Sequence, residues 1–112
     1  QEMKPSSAKA KGRNFQNKVR KMIMDHLDIN EHDIKTAVMG ESGMDIKLSS
    51  AGREKFPYAV ECKKVEKINI WKCFEQSCEN SEDLTPLLIF SKNNSKVLVC
   101  FEFKDLLDLL RK

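Results

Sequence analysis

The chain has 112 residues, 40% hydrophobic and 33% charged, enough for one compact domain and too few for two. Its 20 Lys and Arg against 17 Asp and Glu leave a net charge of only +3, so overall charge does not demand a polyanion partner. Apolar runs such as Leu87–Phe90 and Val97–Phe101 reach about five residues, far short of the ~20 that span a bilayer, so no membrane partner is expected.

Along the chain the charge is uneven. Residues 1–22 hold seven basic groups (Lys4, Lys9, Lys11, Arg13, Lys18, Arg20, Lys21) against Glu2, a net +6, while residues 23–112 hold 13 basic and 16 acidic groups, a net −3. A basic start on a slightly acidic body fits nucleic acid, the competing reading being a solvated tail. Residues 1–10, with Pro5, Ser6 and Ser7, lack an apolar period and are expected to be a flexible basic arm preceding a single domain over residues 11–112. No hydrophobic signal region follows the basic start, and the expected setting is intracellular.

From Asn14 the apolar residues Phe15, Val19, Met22, Ile23 and Leu27 recur at helical spacing, which predicts a helix ending near 28–30. Thr36–Met39 and Met44–Leu48 read as strands joined by the turn Gly40-Glu41-Ser42-Gly43. In the second of them Met44, Ile46 and Leu48 alternate with Asp45 and Lys47. Ser49–Lys55 reads as an exposed loop leading to a strand over Pro57–Lys64. There Tyr58, Val60 and Cys62 share one face and Ala59, Glu61 and Lys63 the other, and hairpin pairing would bring the charged faces of these two strands together. A second helix starts near an Asn69 N-cap and carries Ile70, Trp71, Phe74 and Cys78. Two strands, Leu87–Ser91 and Lys96–Phe101, follow around the turn Asn93-Asn94-Ser95, and a short leucine-rich helix closes the chain. Cys62, Cys73, Cys78 and Cys100 form no CxxC pair and no zinc spacing, and read as reduced, mostly buried thiols.

Asp45 on one strand and Glu61-Cys62-Lys63 on the next are charged groups in otherwise apolar strands, costly to bury unless paired or bound to metal. Period two puts Glu61 and Lys63 on one face about 7 Å apart. A neighbouring strand lies about 4.8 Å away, close enough for Asp45 and Glu61 to share a cation. Hard oxygen donors, with the Cys62 backbone carbonyl beside them, suit Mg²⁺ or Mn²⁺, and Lys63 would stand next to the ion. The alternative for the triplet is a surface ion pair between Glu61 and Lys63.

The ordered segments Lys11-Gly12-Arg13-Asn14-Phe15-Gln16, Glu41-Ser42-Gly43-Met44-Asp45-Ile46, Val60-Glu61-Cys62-Lys63 and Trp71–Gln76 resemble the PD-(D/E)XK nucleases, and within them the small Holliday junction resolvases of archaea and phages. The resemblance runs from Lys11 to about Phe101. It implies an α/β, restriction-endonuclease-like fold with a central mixed five-stranded sheet flanked by helices. It also implies a Mg²⁺- or Mn²⁺-dependent, structure-selective endonuclease that resolves four-way junctions in recombination and repair, with no small-molecule cofactor. The setting would be the cytoplasm, that of the host if the gene is phage-borne.

In that resemblance Asp45 and Glu61 are metal ligands, Lys63 is the catalytic lysine, Ser42 contributes to the active site, and Gln76 contacts DNA or orients Lys63, unless it is merely an exposed helix glutamine. The first helix of the family supplies a glutamate where this chain has Gln16, which keeps one oxygen ligand and loses a charge. Either the natural protein tolerates glutamine there, or this chain is an inactivated Glu-to-Gln variant. The intact remainder of the motif favours the second. The reaction implied is phosphodiester hydrolysis by an activated water, leaving 5′-phosphate and 3′-hydroxyl ends. Two symmetric cuts imply a homodimer. Lys9, Lys11, Arg13, Lys64, Lys67, Lys72 and Lys92 are the expected DNA contacts. The other classes to be separated are a different PD-(D/E)XK nuclease (nicking, repair or restriction type), a non-catalytic DNA-binding module, and an interaction domain with a chance triplet.

Overall fold

A computed structural model of the chain describes residues 5–38 and 40–111; Met39, the last residue of one expected strand, and residues 1–4 of the expected arm lie outside the described residues. The elements are α1 (Pro5–Leu27), a 3₁₀ turn (Glu31–Asp33), β1 (Ile34–Thr36), β2 (Ile46–Leu48), α2 (Ser50–Lys55), β3 (Tyr58–Lys64), α3 (Ile70–Glu79), β4 (Thr85–Ser91), β5 (Leu98–Cys100) and α4 (Phe103–Leu110). No helix among the described residues is long and apolar enough to cross a membrane.

α1 begins earlier than the apolar period, so Pro5–Ala10, expected in the flexible arm, form its first turns; Pro is tolerated where a helix begins because its missing N–H would be unpaired anyway. Phe15, Val19 and Ile23, spaced by four, are buried, whereas Met22 and Leu27 of the expected stripe are exposed. The helix stops at Asp28, which adopts a positive φ of 54°. Asn30 then caps the 3₁₀ turn by accepting from the His32 N–H, and the chain enters β1 two residues sooner than the alternation suggests. Burial decides the boundary: Ile34 is 0% exposed and Val38 is 70% exposed. Arg20 locks this segment to α1, its Nε donating to the Ile34 carbonyl (2.7 Å) and its Nη2 to that of Glu31 (2.9 Å).

The expected loop Ser49–Lys55 is instead the short helix α2. Ser49 Oγ caps it by accepting from the Gly52 N–H, and donates to Asp33. Gly52 is required for its closeness to the 3₁₀ turn, since a Cβ there would lie 2.6 Å from the Asp33 carbonyl oxygen. The intervening helix means that β2 and β3 do not form the expected hairpin.

Among the described residues there are five strands, but they form two sheets, not one central five-stranded sheet. β1 and β2 pair antiparallel, and β3, β4 and β5 form a mixed sheet in which β3–β4 is parallel and β4–β5 antiparallel. The ladder fails between β2 and β3 because Asp45 occupies the junction. Its N–H donates to the Val60 carbonyl (2.9 Å), but the next bond goes from the Cys62 N–H to the Asp45 side chain, Oδ2, at 2.7 Å. A carboxylate takes the place of a strand carbonyl.

The core lies between α1 and one face of the strands: Phe15, Val19, Ile23, Ile34, Ile46, Val60, Leu87 and Ile89 form it, with Tyr58 and Cys62 packed against them. Each such side chain contributes about 1.5–3 kcal/mol by leaving water. The opposite face of β3 and β4 carries Ala59, Glu61 and Leu88, where α3 packs. Asn69 caps α3 by accepting from the Lys72 N–H, as its sequence predicts.

Candidate functional site

Glu61 is the buried charged residue of β3, its side chain 8% exposed on the α3 face of that strand. Register places it beside Leu88 of β4, which is 0% exposed, so its surroundings on that side are apolar. Two groups reach it: Asn80 Nδ2, at the C-terminal end of α3, donates to Oε1 at 3.4 Å, and Lys63 Nζ stands 4.0 Å from Oε2. The Lys63 side chain is 31% exposed, so its ammonium meets both the carboxylate and solvent. The pair is therefore no ion pair of an exposed sheet face, because its acid is buried.

Asp45 is half-buried at the β2–β3 junction, with Oδ2 aimed at β3 by the Cys62 N–H. Burial pushes its carboxyl above the usual carboxylate range, opposed by the Cys62 hydrogen bond and by the charges of Lys63 and Lys47. Glu61 is also pushed up, first by burial and then by the negative charge of Asp45, with Asn80 and Lys63 opposing. Two carboxylates thus converge with less compensation than they need. N–H and C=O of one strand residue point to the same side, so the Cys62 carbonyl leaves β3 toward Asp45 and stands beside the pair. The Cys62 thiol is held neutral, its pKa pushed far up by burial and by both acids, so Cys62 offers its backbone and not its sulfur. All four cysteines are free; Cys62, Cys73 and Cys100 are half-buried and Cys78 exposed, less buried than their spacing alone predicts.

Two carboxylates and a carbonyl are hard oxygen donors, and a divalent cation of the Mg²⁺ or Mn²⁺ kind would fit them by offsetting the burial that raises both acids and the charge of Asp45 that raises Glu61 further. No group of three or more His, Cys, Asp or Glu side chains that could hold a metal ion converges among the described residues. Gln16 is half-buried and shares the α1 face of Arg20, one turn later, whose guanidinium binds the β1 carbonyl; that sets Gln16 on the β1 side of the helix.

The remaining predicted residues spread out. Ser42 is exposed in the turn between Gly40 (φ 85°) and Gly43 (φ 95°), and its described contact is its carbonyl, 3.5 Å from Lys47 Nζ. Gln76 is exposed on the outer side of α3 among Lys72, Glu75 and Glu79, while Asn80, four residues on, turns inward to Glu61. Lys9, Arg13, Lys67, Lys72 and Lys92 are exposed. Lys11 and Lys64 come together in a groove of about 320 Å³ beside Lys18, Asn14 and Asn93.

Sequence reasoning missed Asn80, whose position reads as an ordinary helix cap, and Ser77, one turn before it, whose Oγ is buried without a hydrogen-bond partner among the described residues. A polar residue every three to four positions on the sheet-facing side of α3 (Ser77, Asn80 or Ser81) is the signal that points to them. Compared with protein-family models, curated proteins and solved structures, the chain matches none.

Proposed function

We propose that this chain is a divalent-metal-dependent DNA endonuclease of the PD-(D/E)XK type, with a restriction-endonuclease-like fold, acting on branched DNA such as a four-way junction. The observation that carries the reading is half-buried Asp45 set against buried Glu61 at the β2–β3 junction, with Lys63 4.0 Å from Glu61. Asp45, Glu61 and the Cys62 carbonyl would hold the ion, with Gln16 as a neutral fourth oxygen. A bound Mg²⁺ or Mn²⁺ supplies positive charge beside a phosphate and makes water a better nucleophile at neutral pH.

The chain's own residues do the rest. The Cys62 N–H fixes the orientation of Asp45, and Asn80 that of Glu61, so neither acid has to reorganise when substrate arrives. Lys63, anchored at Glu61 and partly open to solvent, carries an ammonium to the charge that grows on the phosphate. Lys9, Lys11, Arg13, Lys64, Lys67, Lys72 and Lys92 supply phosphate contacts that read backbone shape, not base sequence. Paired cuts call for two copies related by a two-fold axis. α4 has no buried residue and exposes Leu107 and Leu110, apolar surface that the monomer does not use.

The test is incubation with a labelled four-way junction and Mg²⁺, with linear duplex alongside. Glu61→Gln and Lys63→Ala are expected to lose at least about a hundredfold in cleavage while keeping junction binding, and Gln16→Glu to gain about a hundredfold to a thousandfold. A chain that binds junctions but neither cuts them nor binds Mg²⁺, even as Gln16→Glu, is a DNA-binding module and not a nuclease. Gln16 is the residue that favours that second reading.

A further inference from the structure

The C-terminal end of the mixed sheet carries a cavity that the carboxylate site does not use. Its volume is about 540 Å³, and Val65, Ile68, Phe90 and Leu98 give it apolar walls, with Lys92 and Lys96 at the rim. Val65 is 43% exposed and Leu98 52%, so apolar side chains of this hollow meet solvent. Lys63, Phe90 and Leu98 stand opposite one another across β3, β4 and β5, so the cavity opens on the face that carries Glu61 and Lys63. Strands about 4.8 Å apart put Leu98 about 10 Å from Lys63.

On the other side of the same sheet end runs the groove of about 320 Å³ that holds Lys11, Lys18 and Lys64. Its cations are positioned by neutral partners: Lys11 Nζ donates to Asn93 Oδ1 at 2.8 Å, and Lys64 Nζ lies 5.6 Å over the Phe15 ring. A smaller hollow shares Lys11, Lys64 and Asn93 with the groove and Val65 and Glu66 with the cavity, which makes the three continuous. The turn between them is stiff. Glu66 Oε2 accepts from the Asn93 N–H at 2.7 Å, and buried Ser91 Oγ lies 3.1 to 3.2 Å from the carbonyls of Lys92, Ser95 and Lys96.

We infer that this surface holds a single DNA strand, with its phosphates along Lys11, Lys18 and Lys64 and one unstacked base in the pocket of Val65, Ile68, Phe90 and Leu98. The occupant follows from the combination: a row of cations that make no ion pair among the described residues selects a polyanion, and an apolar pocket walled by Phe90, with Lys92 and Lys96 as well as the acid Glu66 in its lining, selects the flat apolar group that such a polyanion carries. The inference rests on the nucleic-acid reading above and adds that the substrate is engaged where a base has left its stack, as at a branch point. Its selectivity would then be for unpaired nucleotides next to the cut phosphate.

The experiment is fluorescence anisotropy without divalent metal, so cleavage does not enter. The full chain is titrated with a labelled single-stranded oligonucleotide, with the same strand made abasic throughout, and with a blunt duplex. The normal strand is expected to bind at least about fivefold tighter than the abasic one. Val65→Ser/Leu98→Ser, at two exposed positions, should remove that preference and leave abasic binding unchanged. Lys11→Ala/Lys64→Ala should weaken both strands alike and lower the salt slope by about 1.4. Equal wild-type affinity for normal and abasic strands overturns the inference, as does concentration-dependent dimerisation lost in Val65→Ser/Leu98→Ser with strand binding intact. Base-dependent binding by a chain that never cuts DNA refutes the nuclease and leaves the pocket standing; cutting without base-dependent binding does the reverse.

Discussion

Asp45 has two separable jobs, accepting the Cys62 N–H across the β2–β3 junction and carrying a charge against Glu61, and two substitutions divide them. Asp45→Asn keeps an acceptor oxygen for the 2.7 Å bond and removes the charge. Asp45→Ala removes both and leaves the N–H of Cys62 without its partner, at a cost of about 1–3 kcal/mol. Unfolding entropy of about 2.1 cal/mol/K per residue over 112 residues converts 1 kcal/mol into about 4 °C. Asp45→Ala should therefore melt about 4–12 °C below Asp45→Asn at any pH, which measures the hydrogen bond alone.

The charge is measured by Asp45→Asn against wild type. Both carboxyls are held above the usual range, so the folded chain binds their protons more tightly than the unfolded one. Wild-type stability from this pair is then fully present below the ordinary carboxylate range and is lost as pH rises through the raised values. Asp45→Asn should come closest to wild type at pH 3.5, below the ordinary carboxylate range, and melt higher at pH 7, and added Mg²⁺ should narrow the gap by raising wild type. Differential scanning fluorimetry from pH 3.5 to 8 follows all of this. Equal melting of Asp45→Ala and Asp45→Asn would refute the junction bond. A wild type more stable than Asp45→Asn at pH 7 would refute the repulsion between the acids.

Arg20→Ala should cost about 1.5–3 kcal/mol, read as a fall of about 6–12 °C in Tm, because it strips the carbonyls of Ile34 and Glu31 of a charged donor; an unchanged Tm would mean that the 3₁₀ turn and β1 hold without α1. Gly52→Ala should cost about 1–3 kcal/mol, since its Cβ has backbone, the Asp33 carbonyl, as its nearest neighbour. Urea denaturation checks it, and a stability equal to or above wild type would show that α2 can move off the 3₁₀ turn freely.

The strand identities, the Asn69 cap, and the alternation that sets Glu61 and Lys63 on one face of β3 and Val60 and Cys62 on the other were legible in the sequence, because period and capping chemistry are local. Boundaries were legible only in part. β1 starts at Ile34, not Thr36, because Ile34 fills the core and Val38 does not. Ser49–Lys55 looked like a loop because Gly52 reads as a breaker; it is a helix because that glycine is needed for contact with the Asp33 carbonyl, a residue far from it in sequence.

By itself, then, the sequence determined the alternation of helices and strands, the basic start, and which residue types stand ready for metal and phosphate chemistry. Only the tertiary structure decided that Asp45 caps a break between two sheets, that Asn80 and not Gln76 reaches Glu61, and that Lys11, Lys64 and Asn93 share one groove. These depend on contacts between residues 15 or more positions apart. Their geometry follows from how α1 and α3 pack on opposite faces of β3 and β4, which no local period records.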